Sequence, residues 1–205
     1  MPAPRPATGS ARHAVAAGAE GLFGTYPGTV AVVTSRLGDR VNAMAAGWHT
    51  ALSSRPPLYG VAIAPERHTY RLVVGSGRFA VCLLPFAAVE KVAGAGVLSG
   101  ADGTDKLSRL GLTWYEGPDG LPLPDVAYAC FACRVVDRVP TGDHELFVGE
   151  VASVHYDPEA FDGRVKSPRR VPAAIYYGRS TYEATGAGEL RRVPPELFRD
   201  PEAGG

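Results

Sequence analysis

The chain has 205 residues, 45% of them apolar and 20% charged, and its 21 basic and 21 acidic side chains cancel to a formal charge of zero. That length and composition suit one folded domain with a sizeable core. The neutral balance lacks the basic bias of a nucleic-acid binder, and no apolar run reaches the length of a membrane span or of a signal-peptide core, so a soluble cytoplasmic protein is expected.

Residues 1–12 are Pro, Ala and Arg without periodicity and read as a disordered tail; the domain is expected over 13–185, with a second, Pro- and Gly-containing tail over 186–205. A short helix is predicted at 13–23. Strands follow at 30–35 ("VAVVTS") and 41–46, joined by a hairpin turn at Gly38 and Asp39, and at 58–63 ("LYGVAI"). Thr69 reads as the N-cap of a helix "YRLVV" that Gly75 stops. A strand at 79–84 comes next, then a helix in "PFAAVEKVAGAG" that runs until the glycines, and a turn around 105–110. The longest strands are 126–139 and 145–155, with a last short one at 173–177. Many short strands, few helices and hairpin connections predict a mainly β barrel or sandwich.

The cysteines are Cys82, Cys130 and Cys133. In a strand, positions i and i+3 face opposite ways, so the pair in "CFAC" is expected neither to share a metal nor to bridge. No second Cys pair completes a zinc site. Structural thiols are the expectation.

Several stretches carry chemical potential. "VNAMAAGWHT" at 41–50 has too little side chain for an ordinary core strand and too few polar groups for a solvated loop. A flat ligand approaching the main chain is one physical answer. In "APERHTYRLV", Arg67, His68 and Thr69 stand at a predicted helix start, where unpaired N–H groups and a guanidinium suit a phosphate; on spacing alone a capped surface helix serves equally. Ser99 and Gly100 open a Gly-rich loop that ends at Lys106, one of the chain's three lysines, and this loop is either an anion contact or a plain connection. His144 in "TGDHELFVGEV" sits where a turn becomes a strand, as a cleft residue or a turn cap. The tyrosines of "AIYYGRSTY" suit either stacking or packing.

The order of these stretches, "YPGTVAVVTS", "NAMAAGWHT", "SSRPPL", "RHT", "SG…DKL" and "GDHELFVGEV", resembles the flavin reductase-like FMN-binding split-barrel family over roughly residues 20–180. The resemblance implies a Greek-key antiparallel barrel, a homodimer, and FMN near the subunit interface. It implies that Asn42, Ala43, Met44, Ala45, Ala46, Gly47, Trp48 and Thr50 run along the isoalloxazine ring. Arg67, His68 and Thr69 match the phosphate end, and Ser99, Gly100 and Lys106 a loop that holds phosphate or ring. His144 matches a position by the flavin and the nicotinamide site, with His49 as a second catalytic candidate and Tyr177 closing the site. The implied function is an NAD(P)H-dependent flavin reductase serving a monooxygenase or other redox partner. A flavoredoxin-like electron carrier is the alternative, and a non-catalytic small barrel binding nucleic acid or another ligand stands further off.

Overall fold

The computed structural model describes residues 27–101 and 105–186. The helix expected over 13–23, the N-terminal tail and residues 187–205 lie outside the described residues. In chain order the elements are β1 (Gly28–Thr29), β2 (Ala31–Leu37), β3 (Arg40–Ala46), β4 (His49–Ser54), β5 (Pro57–Ile63), α1 (His68–Ser76), β6 (Arg78–Leu83), α2 (Val89–Val97), α3 (Lys106–Arg109), β7 (Trp114–Glu116), β8 (Pro122–Pro124), β9 (Ala129–Thr141), β10 (His144–Tyr156), β11 (Phe161–Asp162), β12 (Val165–Lys166), β13 (Ala174–Gly178) and β14 (Thr181–Ala184).

Seven strands form one sheet in the order β3-β2-β6-β9-β10-β5-β4, and its neighbours pair antiparallel throughout. Laid flat, the six inter-strand gaps would put β3 and β4 about 29 Å apart. Yet only Gly47 and Trp48 separate these strands in sequence, a link that reaches about 11 Å at most. The sheet therefore has to curl until the end of β3 comes within that reach of the start of β4, without the two strands pairing, and the Ala62 N–H donates to the Trp48 carbonyl at 2.9 Å beside that link. This is the mainly β barrel expected from the sequence. A smaller sheet, β1-β13-β14, stands beside it.

The unbroken apolar runs of β2 and β6 follow from burial on both faces. Val33, Val81, Phe79, Cys133 and Phe147 fill one cluster with Val61 and Ile63; Val32, Ala80, Cys82 and Cys130 fill the other, beneath α2, α3 and β8. Cys130 and Cys133 thus belong to different clusters, as strand alternation requires. All three thiols are free and buried, and burial pushes Cys133 up to about 12, which leaves it inert at neutral pH.

Local expectations differ from the structure at both ends of α1, at the end of α2 and at β4. Helix α1 begins at His68 with Arg67 in the N-cap position and no side-chain cap, so Thr69 is not the cap; it lies inside the first turn, fully buried. Gly75 does not stop the helix. Gly77 does, in the left-handed region at φ 67°, with its N–H donated to the Val73 carbonyl. Helix α2 runs through Gly94 and Gly96 to Val97, and Gly94 leaves the space that the Leu110 side chain fills. Strand β4 carries no apolar alternation to announce it, since residues 50–52 face solvent. Among the described residues no helix is long and apolar enough to cross a membrane.

Candidate functional site

Strand β3 is an edge strand, hydrogen bonded to β2 alone, residue for residue from Ala31 opposite Ala46 to Leu37 opposite Arg40. Its outer edge offers backbone N–H and C=O groups that no strand takes up. A cleft of about 600 Å3 opens beside it, walled by the start of α1, the C-terminal half of α2, the loop to Gly100, and Lys106. Trp48 and His144 stand in its wall, as do Gly28–Thr29 of β1 and two tyrosines of the small sheet. Small side chains on β3 have a physical purpose here, since they let a flat group reach the strand's polar edge.

Asn42 anchors this region. Its side chain is 2% exposed, and its Nδ2 donates to Thr69 Oγ1 at 2.8 Å. Its Oδ1 is buried without a hydrogen-bond partner, the one such side-chain atom among the described residues. Turning the amide over would only exchange which terminal atom is orphaned. A Cβ added to Gly100 would fall 2.6 Å from that oxygen, so Gly100 keeps the approach to it open. A buried acceptor left unpaired is costly unless something else completes it.

Positive charge gathers at the same end. Lys106 is 4% exposed, and its Nζ donates to the Ala95 carbonyl at 2.7 Å. Burial, reinforced by the nearby Arg67 guanidinium, lowers its pKa to about 8. Burial also lowers the His68 pKa, with Arg40, Arg71 and Lys106 adding to the effect. Among the described residues neither Arg67 nor Lys106 forms an ion pair. The first turn of α1 has no acidic residue and no side-chain cap, so its N–H groups and dipole add to the same field. Glu66 is a carboxylate in the same cleft lining, yet it pairs with neither cation, and cations held together without an ion-pair partner make a receptor for an anion.

At the other end, His144 Nδ1 lies 2.7 Å from Asp143 Oδ1, and the imidazole meets the Trp48 ring at 4.7 Å between centroids. The carboxylate accepts a hydrogen bond from Nδ1–H and leaves Nε2 as the nitrogen for a ligand. The same bond holds the Asp143 carboxyl below its ordinary range.

The structure brings Asn42, Met44, Ala45, Ala46, Gly47, Trp48, Arg67, His68, Thr69, Ser99, Gly100, Lys106 and His144 to this one cleft. It leaves out Ala43, His49, Thr50 and Tyr177. Ala43 alternates into the core beneath α2. His49 turns the other way from Trp48: its Nδ1 meets the Tyr59 hydroxyl at 2.8 Å and its Nε2 the Thr29 carbonyl at 3.2 Å, a set of partners that satisfies a neutral ring. Burial lowers its pKa, so it stays neutral at pH 7. Thr50 is exposed on β4. Tyr177 is 42% exposed and donates to Glu183 at 2.7 Å; Tyr176 and Tyr182, with rings 4.9 Å apart, face the cleft instead. The α2 residues Ala93, Ala95, Gly96 and Val97 also line it without having been expected. Their only sequence signal is the small-residue run "AGAG", which read as a helix end.

An antiparallel barrel with an open strand edge, an uncapped helix and cations without an ion pair converging on one cleft has the chemistry that suits a flat, anionic ligand. The profile described as "Flavin reductase like domain" matches residues 23–186. The chain belongs to the flavin reductase-like family. It is 39% identical over 156 residues to an uncharacterized protein of Aeropyrum pernix, a match that covers 76% of this chain and 59% of that one. Among solved structures it is similar to an FMN-binding protein from Thermus thermophilus, with a TM-score of 0.78 and 31% identity over 88% of this chain and 98% of that one. It is also similar to the flavoredoxin of Desulfovibrio vulgaris, with a TM-score of 0.72 and 27% identity over 82% and 91% of the two chains.

Proposed function

We propose that the protein binds FMN in the β3 cleft and acts as an NAD(P)H-dependent flavin reductase. The observation that carries this reading is the meeting, in one cleft, of Arg67 and Lys106, which form no ion pair among the described residues, with a buried, partnerless amide oxygen beside an open strand edge. FMN has a phosphate for the first, and hydroxyl and ring N–H donors for the second. The residues present fit the group.

When bound, FMN would supply the ring that takes a hydride from a nicotinamide. The chain's own part is to bind and orient. Arg67, Lys106 and the first N–H groups of α1 would hold the phosphate, and Asn42 would accept a hydrogen bond that nothing else among the described residues offers it. The edge of β3 would meet the ring's polar rim. His144, steadied by Asp143 and Trp48, would hold the nicotinamide in register, and Tyr176 and Tyr182 would give an apolar wall that keeps water from it. Reduced flavin would pass to a monooxygenase or other redox partner.

Anaerobic titration of the FMN-loaded protein with NADH and then NADPH tests this directly. Bleaching of the visible flavin band on addition of one nucleotide is the expected result. A bound flavin that stays oxidised would move the protein to the carrier reading, which the likeness to a flavoredoxin favours. Failure to bind FMN would remove both.

Two variants sharpen the reading. In His144→Ala, kcat/KM for the nicotinamide is expected to fall about tenfold or more while the FMN dissociation constant stays within about threefold. An unchanged rate would take His144 out of the mechanism. In Gly100→Ala, the added methyl meets Asn42 Oδ1, so FMN fluorescence titration should show affinity weakened about tenfold by the lost hydrogen bond. Equal affinity would mean that Asn42 Oδ1 is not a flavin contact.

A further inference from the structure

The β9–β10 hairpin carries His144 just beyond the support of its neighbour. Strand β10 pairs with β5 only as far as Glu145, opposite Ile63, and His144 has its own hairpin partner Thr141 and no β5 residue beside it. A cluster behind the cleft supplies a further tie. The Tyr70 hydroxyl donates to Glu145 Oε2 at 2.6 Å, and Arg138 Nη2 donates to the same oxygen at 2.7 Å and to the Tyr70 oxygen at 2.9 Å. The guanidinium lies 5.8 Å from the centroid of the Tyr70 ring and 5.4 Å from that of Phe147, and the two rings meet edge to face at 5.4 Å.

These three side chains come from α1, β9 and β10, and none of them lines the cleft. Two adjoin residues that do: Tyr70 follows Thr69, and Glu145 follows His144. The Glu145 side chain is 15% exposed and that of Arg138 38%, so the ion pair is open to solvent on the Arg138 side, and the part-buried Tyr70 bond is the sheltered member of the triangle. Its bonds are charge-assisted and share atoms, so loosening one loosens the others. The bond from Arg138, joined by that from Tyr70, holds the Glu145 carboxyl below its ordinary range.

We propose that Tyr70, Glu145 and Arg138 form a positioning clamp that fixes His144, and the Trp48 ring against it, at a set distance from the anion-binding end of α1, and so governs how the nicotinamide is held. For this consequence the inference rests on the reductase reading. The clamp residues touch neither substrate nor cofactor; they act through His144.

The test uses the full chain loaded with FMN, in Tyr70→Phe, Glu145→Gln and double-variant forms. The chain has two tryptophans, so the indole N–H spectrum separates Trp48 from Trp114, and a His144→Gln variant assigns the His144 ring signals. Both single variants are expected to shift the Trp48 and His144 resonances while Trp114 and His155 hold still. The KM for the preferred nicotinamide should rise about tenfold with kcat within about twofold and FMN affinity within about threefold. The double variant should be no worse than the poorer single, because the three groups act as a unit. A lowered melting temperature with those resonances unmoved and KM unchanged would overturn the clamp, and so would additive effects in the double variant. Wild-type protein that binds FMN but leaves both nicotinamides unoxidised would end the reductase reading, and the resonance shifts would then decide the clamp alone.

Discussion

In a Lys106→Met variant, the ligand-free protein is expected to melt higher at pH 7 than the wild type, while its dissociation constant for FMN rises roughly 30- to 100-fold. Both effects have one cause. The Lys106 ammonium is buried beside Arg67, with the Ala95 carbonyl as its hydrogen-bond acceptor, and its pKa falls from 10.5 to about 8. A lysine that is harder to protonate in the native state than in the unfolded chain makes folding costlier wherever it is charged in both. Below pH 8 that cost is complete. Between about pH 8 and 10.5 the unfolded chain keeps a proton that the native state has released, so the stability of the ligand-free wild type should rise with pH. Allowing for solvent at the open cleft, the rise is about 1–2 kcal/mol, or a few degrees in melting temperature. Methionine keeps the aliphatic stem and removes the charge, so the variant should lack the rise.

The same unpaired charge is what a phosphate dianion would complete, at about 2–3 kcal/mol for a charge-assisted hydrogen bond. Above pH 8 FMN binding should therefore take up a proton and weaken as pH increases. Thermal melts from pH 7 to 10 beside FMN fluorescence titrations test both halves. A variant that melts lower and still gains stability with pH would show that Lys106 is not the desolvated charge. Unchanged FMN affinity would place the phosphate elsewhere.

The second large effect is expected in the barrel interior. Gly149 lies on β10 where the pairing register shifts, and a Cβ there would meet the Phe79 ring at 2.6 Å and Cys133 Cβ at 2.7 Å. Phe79 is fully buried and stands opposite Cys133 on the neighbouring strand, so its ring occupies the notch that the missing side chain leaves. Gly149→Ala should cost about 2–3 kcal/mol by overpacking, lowering the melting temperature by about 5–10 °C. Adding Phe79→Leu should recover part of that loss, because a smaller branched chain vacates the notch. A Gly149→Ala protein that melts within a degree of wild type would mean that the ring has room to move.

The site was only partly legible in the sequence. Arg67, Lys106 and Asn42 are far apart in the chain, and each alone suited a surface cap, a loop or a strand end as well as a ligand. Their meeting follows from the curl of the sheet and from the placement of α1 and α2 on either side of β3. The resemblance to a family supplied that meeting in advance but not the faces. Tyr177 was expected at the cleft and Tyr176 is there, because choosing between adjacent strand residues needs the register, and "IYY" is apolar on both faces. His49 was expected beside Trp48 and instead turns to Tyr59 and Thr29.

By itself the sequence determined what depends on neighbours along the chain. The apolar runs of β2, β5, β6 and β9, the hairpin turn at Gly38, and the opposed faces of Cys130 and Cys133 follow from a period of two and from backbone sterics. It could not determine where α1 begins, since Thr69 is buried in the first turn by Asn42, a partner 27 positions away. Strand β4 escaped it because an exposed edge strand needs no apolar code, only the pairing that β5 offers. Tertiary structure alone decided that β3 is left with an open edge and that a lysine loses its solvent without gaining a carboxylate. Burial and charge compensation are properties of assembled neighbours, and no local pattern records them.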